Sequence, residues 1–136
     1  MYIKPYLTVD SLSKSFGKTQ VVNNVSLELE IGKSLVIMGP SGSGKTTLMR
    51  MIAGLERPDD GEIYLDGRLV SSKTVLIPPH QRNFGFVFQT PALWPHMTIE
   101  ENIAFGLKGI NKEEVKSRVQ KLLDAVEIGQ LAARYP

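Results

Sequence analysis

A glycine-rich loop, "GPSGSGKTT", runs from Gly39 to Thr47 and limits the folds that this chain can adopt. The pattern G-x-x-x-x-G-K-[ST] is filled here by Gly39, Gly44, Lys45 and Thr46. The run before it, "SLVIMG", is short and apolar, which is typical of a strand buried on both faces of a parallel sheet. The residues after it have helical spacing, with apolar side chains at Leu48, Met51, Ile52 and Leu55. A strand, a glycine-rich turn and a helix in this order predict a phosphate-binding loop.

Each position of this phosphate loop (residues 39–47) has a physical role in the prediction. The glycines let the backbone turn, so that N–H groups from Gly42 to Thr47 point into one concavity that receives phosphate oxygens. Lys45 brings a positive charge to the terminal phosphates, and the Thr46 hydroxyl is suited to Mg²⁺. Thr47 can bond a phosphate nearer the sugar. The predicted phosphate-binding residues are Gly39, Ser41, Gly42, Ser43, Gly44, Lys45, Thr46 and Thr47. A turn that only linked strand to helix would need neither the lysine nor the threonine.

Length and composition narrow the classes of protein that remain. With 136 residues the chain has the size of one modest domain or part of one. The net charge is +2 and the basic residues are dispersed, so nucleic acid is not the expected partner. The chain has no cysteine, which excludes disulfides, thiolate metal sites and cysteine nucleophiles. Its longest apolar runs fall far below the ~20 residues that span a bilayer. Any role at a membrane would therefore be performed from outside the bilayer.

The first part of the chain predicts mainly strands. Val25 to Ile31 alternates apolar and polar residues, as a half-buried strand does. Gly61 to Val70 predicts a hairpin whose turn is Asp66-Gly67. Phe84 to Gln89, "FGFVFQ", predicts another buried strand. Gly54 with Pro58 is expected to end the helix that follows the phosphate loop.

Beyond Gln89 the pattern predicts helices. Thr98 and Glu101 have capping-box spacing and start a helix through about Leu107, and a similar signal at Asn111 opens a second helix that Gly129 would stop. Glu114 and Arg118 are spaced to pair one turn apart. The predicted apolar stripe of the second helix is Val115, Val119, Leu122 and Val126. This change of pattern places a boundary near residues 89–97 and divides the chain into residues 1–89, with the phosphate loop, and residues 90–136.

Taken together, the segments resemble the ATP-binding subunit of ATP-binding cassette (ABC) transporters, from about Val9 to Pro136. The resemblance is carried by "LSKSFGKTQVVNNVSLELEIGKSLVIMGPSGSGKTTLMRMIAGLERPDDGEIYLDG" and "RNFGFVFQTPALWPHMTIEENIAFGL". The segments "PPHQRNFGFVFQ" and "ALWPHMTIEENI" most resemble importer ATPases for sugars, polyamines, iron or oxyanions. The resemblance to this family implies an α/β fold of the P-loop NTPase type. This fold has a RecA-like core with an antiparallel β subdomain, and the chain would add the start of a helical subdomain.

The resemblance also implies roles for single residues. Phe16 matches the aromatic position on which adenine stacks. Gln89 matches the Q-loop glutamine, which reaches Mg²⁺ and the attacking water. Lys45 and Gln89 are thus the predicted catalytic residues, and Thr46 and Gln89 the predicted metal ligands. The alternative is a purely structural role, in which Phe16 is a core residue and Gln89 ends a strand.

A third segment, "TPALWPHMT", matches the surface that receives a coupling helix of the membrane subunit. The predicted interface residues are Leu93, Trp94 and Pro95, because a partly exposed Trp suits an interface anchor. A Trp packed under the helical part is the open alternative. His80 and His96 are interpreted as solvated, since no second ligand stands at metal spacing.

The cofactors and partners follow from the same resemblance. ATP and Mg²⁺ are the implied cofactors. The implied partners are membrane-spanning permease subunits and a second ATP-binding subunit, which forms a head-to-tail dimer. The expected location is peripheral, on the cytoplasmic side of the membrane.

The later motifs of the family are not found in this sequence. They comprise an apolar strand ending in a metal-linked aspartate, a glutamate that polarises water, a switch histidine and an "LSGGQ" signature. "IYLD", Ile63 to Asp66, is rejected as the aspartate strand because its neighbours predict the hairpin. The chain is therefore interpreted as a front half, truncated before the signature. It is expected to be marginally stable, to associate through unpaired apolar edges, and to bind Mg-ATP weakly with hardly any hydrolysis.

This pattern is compatible with more than one function. The favoured one is an ATPase that drives transport, and the alternative is a non-hydrolysing nucleotide-binding or regulatory module. A P-loop kinase is disfavoured because residues 90–110 contain no arginine for an acceptor lid. A GTPase is disfavoured because the chain lacks D-x-x-G, and "NKEE", residues 111–114, lacks the aspartate of a guanine reader. The transported solute is not specified by the sequence.

Overall fold

The computed structural model describes residues 4–136, which divide into two compact units, one ending at Phe86 and one from Val87 to Pro136. The first unit contains one antiparallel sheet with the strand order β2-β1-β3-β4. Its elements are β1 (Leu7–Phe16), β2 (Thr19–Leu29), α1 (Lys45–Ala53), β3 (Asp60–Leu65) and β4 (Arg68–Ser71). The second unit contains α2 (Ile99–Ala104) and α3 (Lys112–Ala125).

Two hairpins build the sheet, and each has a sequence reason. β1 and β2 pair from Leu7 opposite Leu29 to Phe16 opposite Thr19. The alternating segment predicted as a strand lies in β2, which starts earlier than expected and ends before Ile31. β3 and β4 are joined by Asp66 and Gly67, both with positive φ (49° and 75°), which is the geometry of a type I′ turn. The predicted hairpin is therefore confirmed.

Helix α1 packs its apolar side against this sheet. Leu48, Met51 and Ile52 are buried in one cluster with side chains of β1, β3 and β4. The helix ends as predicted at Gly54, whose left-handed backbone (φ 79°) directs its N–H to the carbonyls of Arg50 and Met51. Because α1 starts at Lys45, this packing fixes the end of the phosphate loop to the core.

The two predicted buried strands, residues 34–39 and 84–89, are not strands in the structure. Met38 is 86% exposed and Val87 is 95% exposed, so neither run is buried on both faces, although Ile37 packs partly buried against the core of the first unit. A strand buried on both faces needs a parallel sheet with covering layers on each side. Within residues 4–136 the sheet contains only antiparallel pairings, so this arrangement is not formed.

In the second unit both helix starts follow the predicted signals. Thr98 and Glu101 form the capping box: the Glu101 N–H donates to Thr98 Oγ1 (3.3 Å), and the Thr98 N–H donates to Glu101 Oε2 (2.7 Å). α2 is nevertheless shorter than predicted, ending at Ala104. The Asn111 side chain caps α3 by accepting from the Glu114 N–H (2.8 Å). Arg118 and Glu114 form the expected ion pair at 2.7 Å.

The buried stripe of α3 differs from the prediction. Val119 and Leu123 are buried and Val115 is half-buried, whereas Leu122 and Val126 are more than half exposed. Steps of four residues place Val115, Val119 and Leu123 on one face, and Val126 lies beyond the end of the helix. Gly129 does not stop α3, since the helix already ends at Ala125 and Gly129 opens a short 3₁₀ turn.

Candidate nucleotide-binding site

The backbone of the phosphate loop requires glycine at defined positions. Gly42 and Gly44 both have positive φ (79° and 89°), where a side chain is strained. Gly44 also packs against β2, and a Cβ placed there would lie 2.4 Å from the carbonyl oxygen of Val21. At Gly39 a Cβ would lie 2.9 Å from Ser43 Oγ. The loop is therefore a close-fitting turn whose shape other residues would disturb.

The N-terminus of α1 opens into a concavity of about 200 Å³, lined by Val21, Gly42, Ser43, Gly44, Lys45, Thr46 and Thr47. Gly44 is the N-cap and provides no side-chain cap, and the first turn of α1 contains no acidic residue. The first N–H groups of a helix have no intrahelical partner. They add to the positive end of the helix dipole. This end of α1 therefore favours an anion.

Lys45 adds a full positive charge at the same place. Its ammonium donates hydrogen bonds to the carbonyl oxygens of Gly39 (2.8 Å) and Pro40 (2.6 Å), and to Ser43 Oγ (3.1 Å). These acceptors hold the charge against the loop instead of in the solvent. Thr46 is exposed and Thr47 is half-buried in the first turn of α1, so both hydroxyls lie at the helix end that lines the concavity.

Phe16 lies at the end of β1, close in the sheet to this concavity. It is paired with Thr19, which stands two residues before Val21, the β2 residue that touches Gly44. Half of the Phe16 surface is exposed, so the residue is not fully packed into a core. The Lys14 ammonium lies 5.3 Å from the centre of its ring. The structure therefore brings Phe16 and the phosphate loop into the same compact unit, and the role of Phe16 in binding adenine stays a prediction.

Sequence analysis missed two buried cations in the first unit. Arg82 is only 3% exposed and pairs with no carboxylate; its guanidinium donates to the carbonyls of Ile77 (2.7 Å), Ile52 (2.8 Å) and Val70 (3.0 Å), and to Ser71 Oγ (2.7 Å). Burial lowers the pKa of Arg82 below its ordinary value. No spacing in "HQRNFG" signals this burial, because its acceptors come from distant parts of the chain.

Lys14 is the second buried cation. Its ammonium lies 2.9 Å from Glu56 and 3.2 Å from Asp59, and it donates to the carbonyl of Arg57 at 2.7 Å. Burial is the largest influence and opposes the charge of Lys14, but the bonds to Glu56 and Asp59 together outweigh it, so the pKa of Lys14 is raised. The Ser15 N–H, together with Lys14, lowers the pKa of Asp59. The signal was present in the sequence, since Lys14 stands two residues after the buried Leu12 and so lies on the same face of β1.

The remaining predicted residues lie in the second unit. Gln89 is exposed in an irregular segment, and Leu93, Trp94 and Pro95 are exposed as well. The Trp94 ring lies 5.6 Å from the ring of Phe105 and 5.9 Å from that of His96. Trp94 is thus supported on its aromatic neighbours while nearly half of its surface is open. The catalytic role of Gln89 and the interface role of residues 93–95 stay predictions.

Asn102 shapes the turn that carries Trp94. Its side-chain oxygen accepts from the Trp94 N–H (2.7 Å). Its amide nitrogen donates to the carbonyls of Trp94 (3.1 Å), Met97 (3.1 Å) and Thr98 (2.9 Å). One side chain from α2 therefore satisfies four backbone groups of residues 94–98, which lack regular secondary structure of their own.

Comparison with known proteins decides the family. The family described as "ABC transporter" matches residues 22–136, which include the phosphate loop and both helices of the second unit. The chain belongs to the ABC transporter family.

Curated relatives of this ABC family chain are named as import ATP-binding proteins. It is 47% identical, over 96% of its length, to the sulfate/thiosulfate import ATP-binding protein CysA of Synechococcus elongatus. It is 43% identical, over 100% of its length, to the Fe(3+) ions import ATP-binding protein FbpC 2 of Haemophilus influenzae. It is 46% identical, over 96% of its length, to the spermidine/putrescine import ATP-binding protein PotA of Nitrosospira multiformis. The chain spans 37%, 39% and 35% of these relatives, respectively.

A solved structure supports the same fold. An ATP-binding cassette of an ABC transporter superposes on the ABC chain with a TM-score of 0.75 and 28% identity, covering 97% of this chain and 58% of the other. The P-loop NTPase fold expected from the sequence is thereby confirmed. Among the helices of residues 4–136, none is long and apolar enough to cross a membrane.

Proposed function

We propose that the chain is the phosphate-loop part of the ATP-binding subunit of an ABC importer, which couples ATP binding and hydrolysis to solute uptake. The observation that carries the proposal is the phosphate loop itself, where Gly44 closes on Val21 and Lys45 is held beside the open end of α1. The names of the relatives support import as the direction of transport. They refer to sulfate, iron and polyamines, so they do not favour one solute.

The residues present fit a triphosphate accompanied by Mg²⁺. The concavity offers backbone N–H groups, an ammonium and hydroxyls, and its lining contains no carboxylate that would repel phosphate. In the part of the chain that the structure describes, no group of three or more His, Cys, Asp or Glu residues could hold a metal. Within the first unit, Mg²⁺ would therefore be held by the Thr46 hydroxyl and the phosphates. When bound, the ion neutralises phosphate charge.

Each residue then has a defined task. Lys45 stabilises the negative charge of the terminal phosphates, as charge-assisted hydrogen bonds do. The N–H groups of Gly42 to Thr47 fix the phosphates, and Ser41 and Ser43 add hydroxyls to the same loop. Phe16 stacks on the adenine, and Gln89 orients the attacking water. We thus assign nucleotide binding to residues of the first unit, and orientation of the attacking water to Gln89 of the second unit.

The second unit provides the proposed contact with the membrane subunit. Trp94, with Leu93 and Pro95, forms an exposed apolar group on a turn held by Asn102. Aromatic anchors on a firmly held turn suit an interface, because little conformational freedom is lost on docking. We place this protein on the cytoplasmic side of the membrane, bound to permease subunits and paired with a second ATP-binding subunit.

A second candidate function is a nucleotide-binding module that does not hydrolyse ATP. It is favoured by the concavity, whose lining of hydroxyls, backbone and one lysine includes no carboxylate to polarise water. Binding and turnover are therefore separable predictions. For the 136-residue chain we expect Mg-ATP binding and hardly any turnover.

Calorimetric titration of Mg-ATP into the chain tests the proposal. Lys45→Ala is expected to weaken binding roughly 10- to 100-fold, the worth of about 1.5–3 kcal/mol for hydrogen bonds to a charged group. Lys33→Ala removes an exposed lysine outside the concavity and is the matched control. Equal binding by the Lys45→Ala and wild-type chains would refute the proposed site. Phosphate release above that of the Lys45→Ala chain would favour the hydrolysing function over the module.

A further inference from the structure

Lys14 and Phe16 stand two residues apart on β1 and interact through their side chains. The Lys14 ammonium is buried and lies 5.3 Å from the centre of the Phe16 ring, whereas half of the ring residue is exposed. A cation within about 6 Å of a ring centre is attracted by the ring's quadrupole. Phe16 is therefore held on one face of its ring by a fixed positive charge.

The position of that charge is fully determined by its acceptors. The three donors of the ammonium are matched by Glu56 (2.9 Å), Asp59 (3.2 Å) and the carbonyl of Arg57 (2.7 Å). Asp59 in addition accepts from the Ser15 N–H at 2.7 Å, which fixes the backbone between Lys14 and Phe16. With all donors used and the side chain buried, Lys14 is not available to bind a ligand itself.

This cluster also joins β1 to the segment that follows α1. Glu56, Arg57 and Asp59 follow directly after Gly54, which ends α1. The other end of α1 is the phosphate loop. Lys14 therefore ties the strand end that carries Phe16 to the segment that continues from the phosphate-binding helix.

We propose that Lys14 is a positioning residue for the nucleotide base: it holds the Phe16 ring in place so that the exposed side of the ring stacks on adenine. This inference rests on the proposed function. A ring held in advance loses less side-chain entropy when a base stacks on it. Lys14 should therefore affect the part of the binding energy that comes from the base, and not the part that comes from the phosphates.

Comparing two ligands separates these parts. Mg-ATP carries the base, and Mg-tripolyphosphate carries only the phosphates. For each variant the ratio of the two dissociation constants measures the contribution of the nucleoside. Lys14→Met keeps the length of the side chain and removes the charge, and Lys14→Arg restores a cation.

In Lys14→Met the affinity for Mg-ATP is expected to fall roughly two- to fivefold, the worth of an exposed cation–π contact, with tripolyphosphate binding unchanged. Lys14→Arg should recover most of the ratio. Phe16→Ala should lose the nucleoside contribution, and Lys14→Met should have no further effect on the ratio in that background, because the coupled pair is already broken.

Different results would refute the role of Lys14 and the proposed ATP binding. A Lys14→Met chain that loses affinity for both ligands equally, or for neither, would overturn the inference. If Lys14→Met does not fold, Glu56→Met removes one acceptor of the ammonium instead and should lower the same ratio; an unchanged ratio there would also overturn the inference. A wild-type chain that binds neither ligand would refute the proposed function itself.

Discussion

At the scale of single residues, two glycines and the buried cation Arg82 organise the first unit. Gly44 allows β2 to touch the phosphate loop, and Gly54 leaves room for Arg82, since a Cβ there would lie 2.4 Å from Arg82 Nε. Arg82 links the end of α1 with β4 and with Ile77 through its hydrogen bonds. A buried guanidinium without a carboxylate is unusual, and here the C-terminal carbonyls of α1 replace the anion.

The stability of the first unit should depend on Arg82. Arg82→Met removes the donors and leaves several buried acceptors without partners, each costing about 1–3 kcal/mol. We expect a total loss of about 3 kcal/mol or more, which would unfold a marginal chain. Urea unfolding followed by circular dichroism measures it, with Arg68→Met as the control because Arg68 is exposed. Equal unfolding midpoints for the two variants would contradict this role of Arg82.

At the scale of elements, the turn before α2 depends on one side chain. Asn102→Ala removes the hydrogen bonds to Trp94, Met97 and Thr98, so residues 94–98 should become mobile, at a local cost of about 1–3 kcal/mol. Trp94 is the one tryptophan of the sequence, and its fluorescence therefore reports on this turn. We expect stronger quenching of Trp94 by iodide in Asn102→Ala.

The matched control for this turn is Asn111→Ala. It removes the cap of α3 and leaves the bonds of Asn102 intact. Quenching in Asn111→Ala should stay close to that of the wild-type chain. If both variants are quenched alike, the turn is not held by Asn102 in particular.

Elements with local signals were predictable from the sequence, and elements that need distant partners were not. The type I′ turn at Asp66, the capping box at Thr98 and the left-handed cap at Gly54 depend on a few adjacent residues, and all three form as expected. Residues 34–39 are apolar enough for a buried strand, but a strand forms only beside a neighbour, and local sequence does not provide one. Burial of Leu123 in place of Leu122 likewise depends on where α3 meets the rest of its unit.

The candidate site, like the fold, was predictable from the sequence only where its residues are contiguous. The phosphate loop is a contiguous motif, so its residues and its place at the start of α1 could be read directly. The contact of Gly44 with Val21 and the ion pairs of Lys14 with Glu56 and Asp59 join segments far apart in the chain. Such contacts appear only when the fold is known.

At the scale of the whole molecule, the chain combines a unit that contains the phosphate loop with a unit that exposes an aromatic turn. It spans 35–39% of the curated relatives described above. Residues 34–39 and 84–89 leave apolar side chains such as Met38 and Val87 exposed. Exposed apolar runs of this kind favour association between chains. Because these side chains are not buried, they also contribute little to the expected marginal stability.

We expect Mg-ATP to bind at the phosphate loop beside Phe16. The most direct test is a nuclear magnetic resonance titration of the isotopically labelled chain with Mg-ATP, recording backbone amide and Phe16 ring signals. We predict that the amides from Gly42 to Thr47 and the Phe16 ring shift together and saturate with one dissociation constant. Binding at this site would be refuted by saturable shifts confined to other residues. It would also be refuted if these signals did not shift at millimolar Mg-ATP.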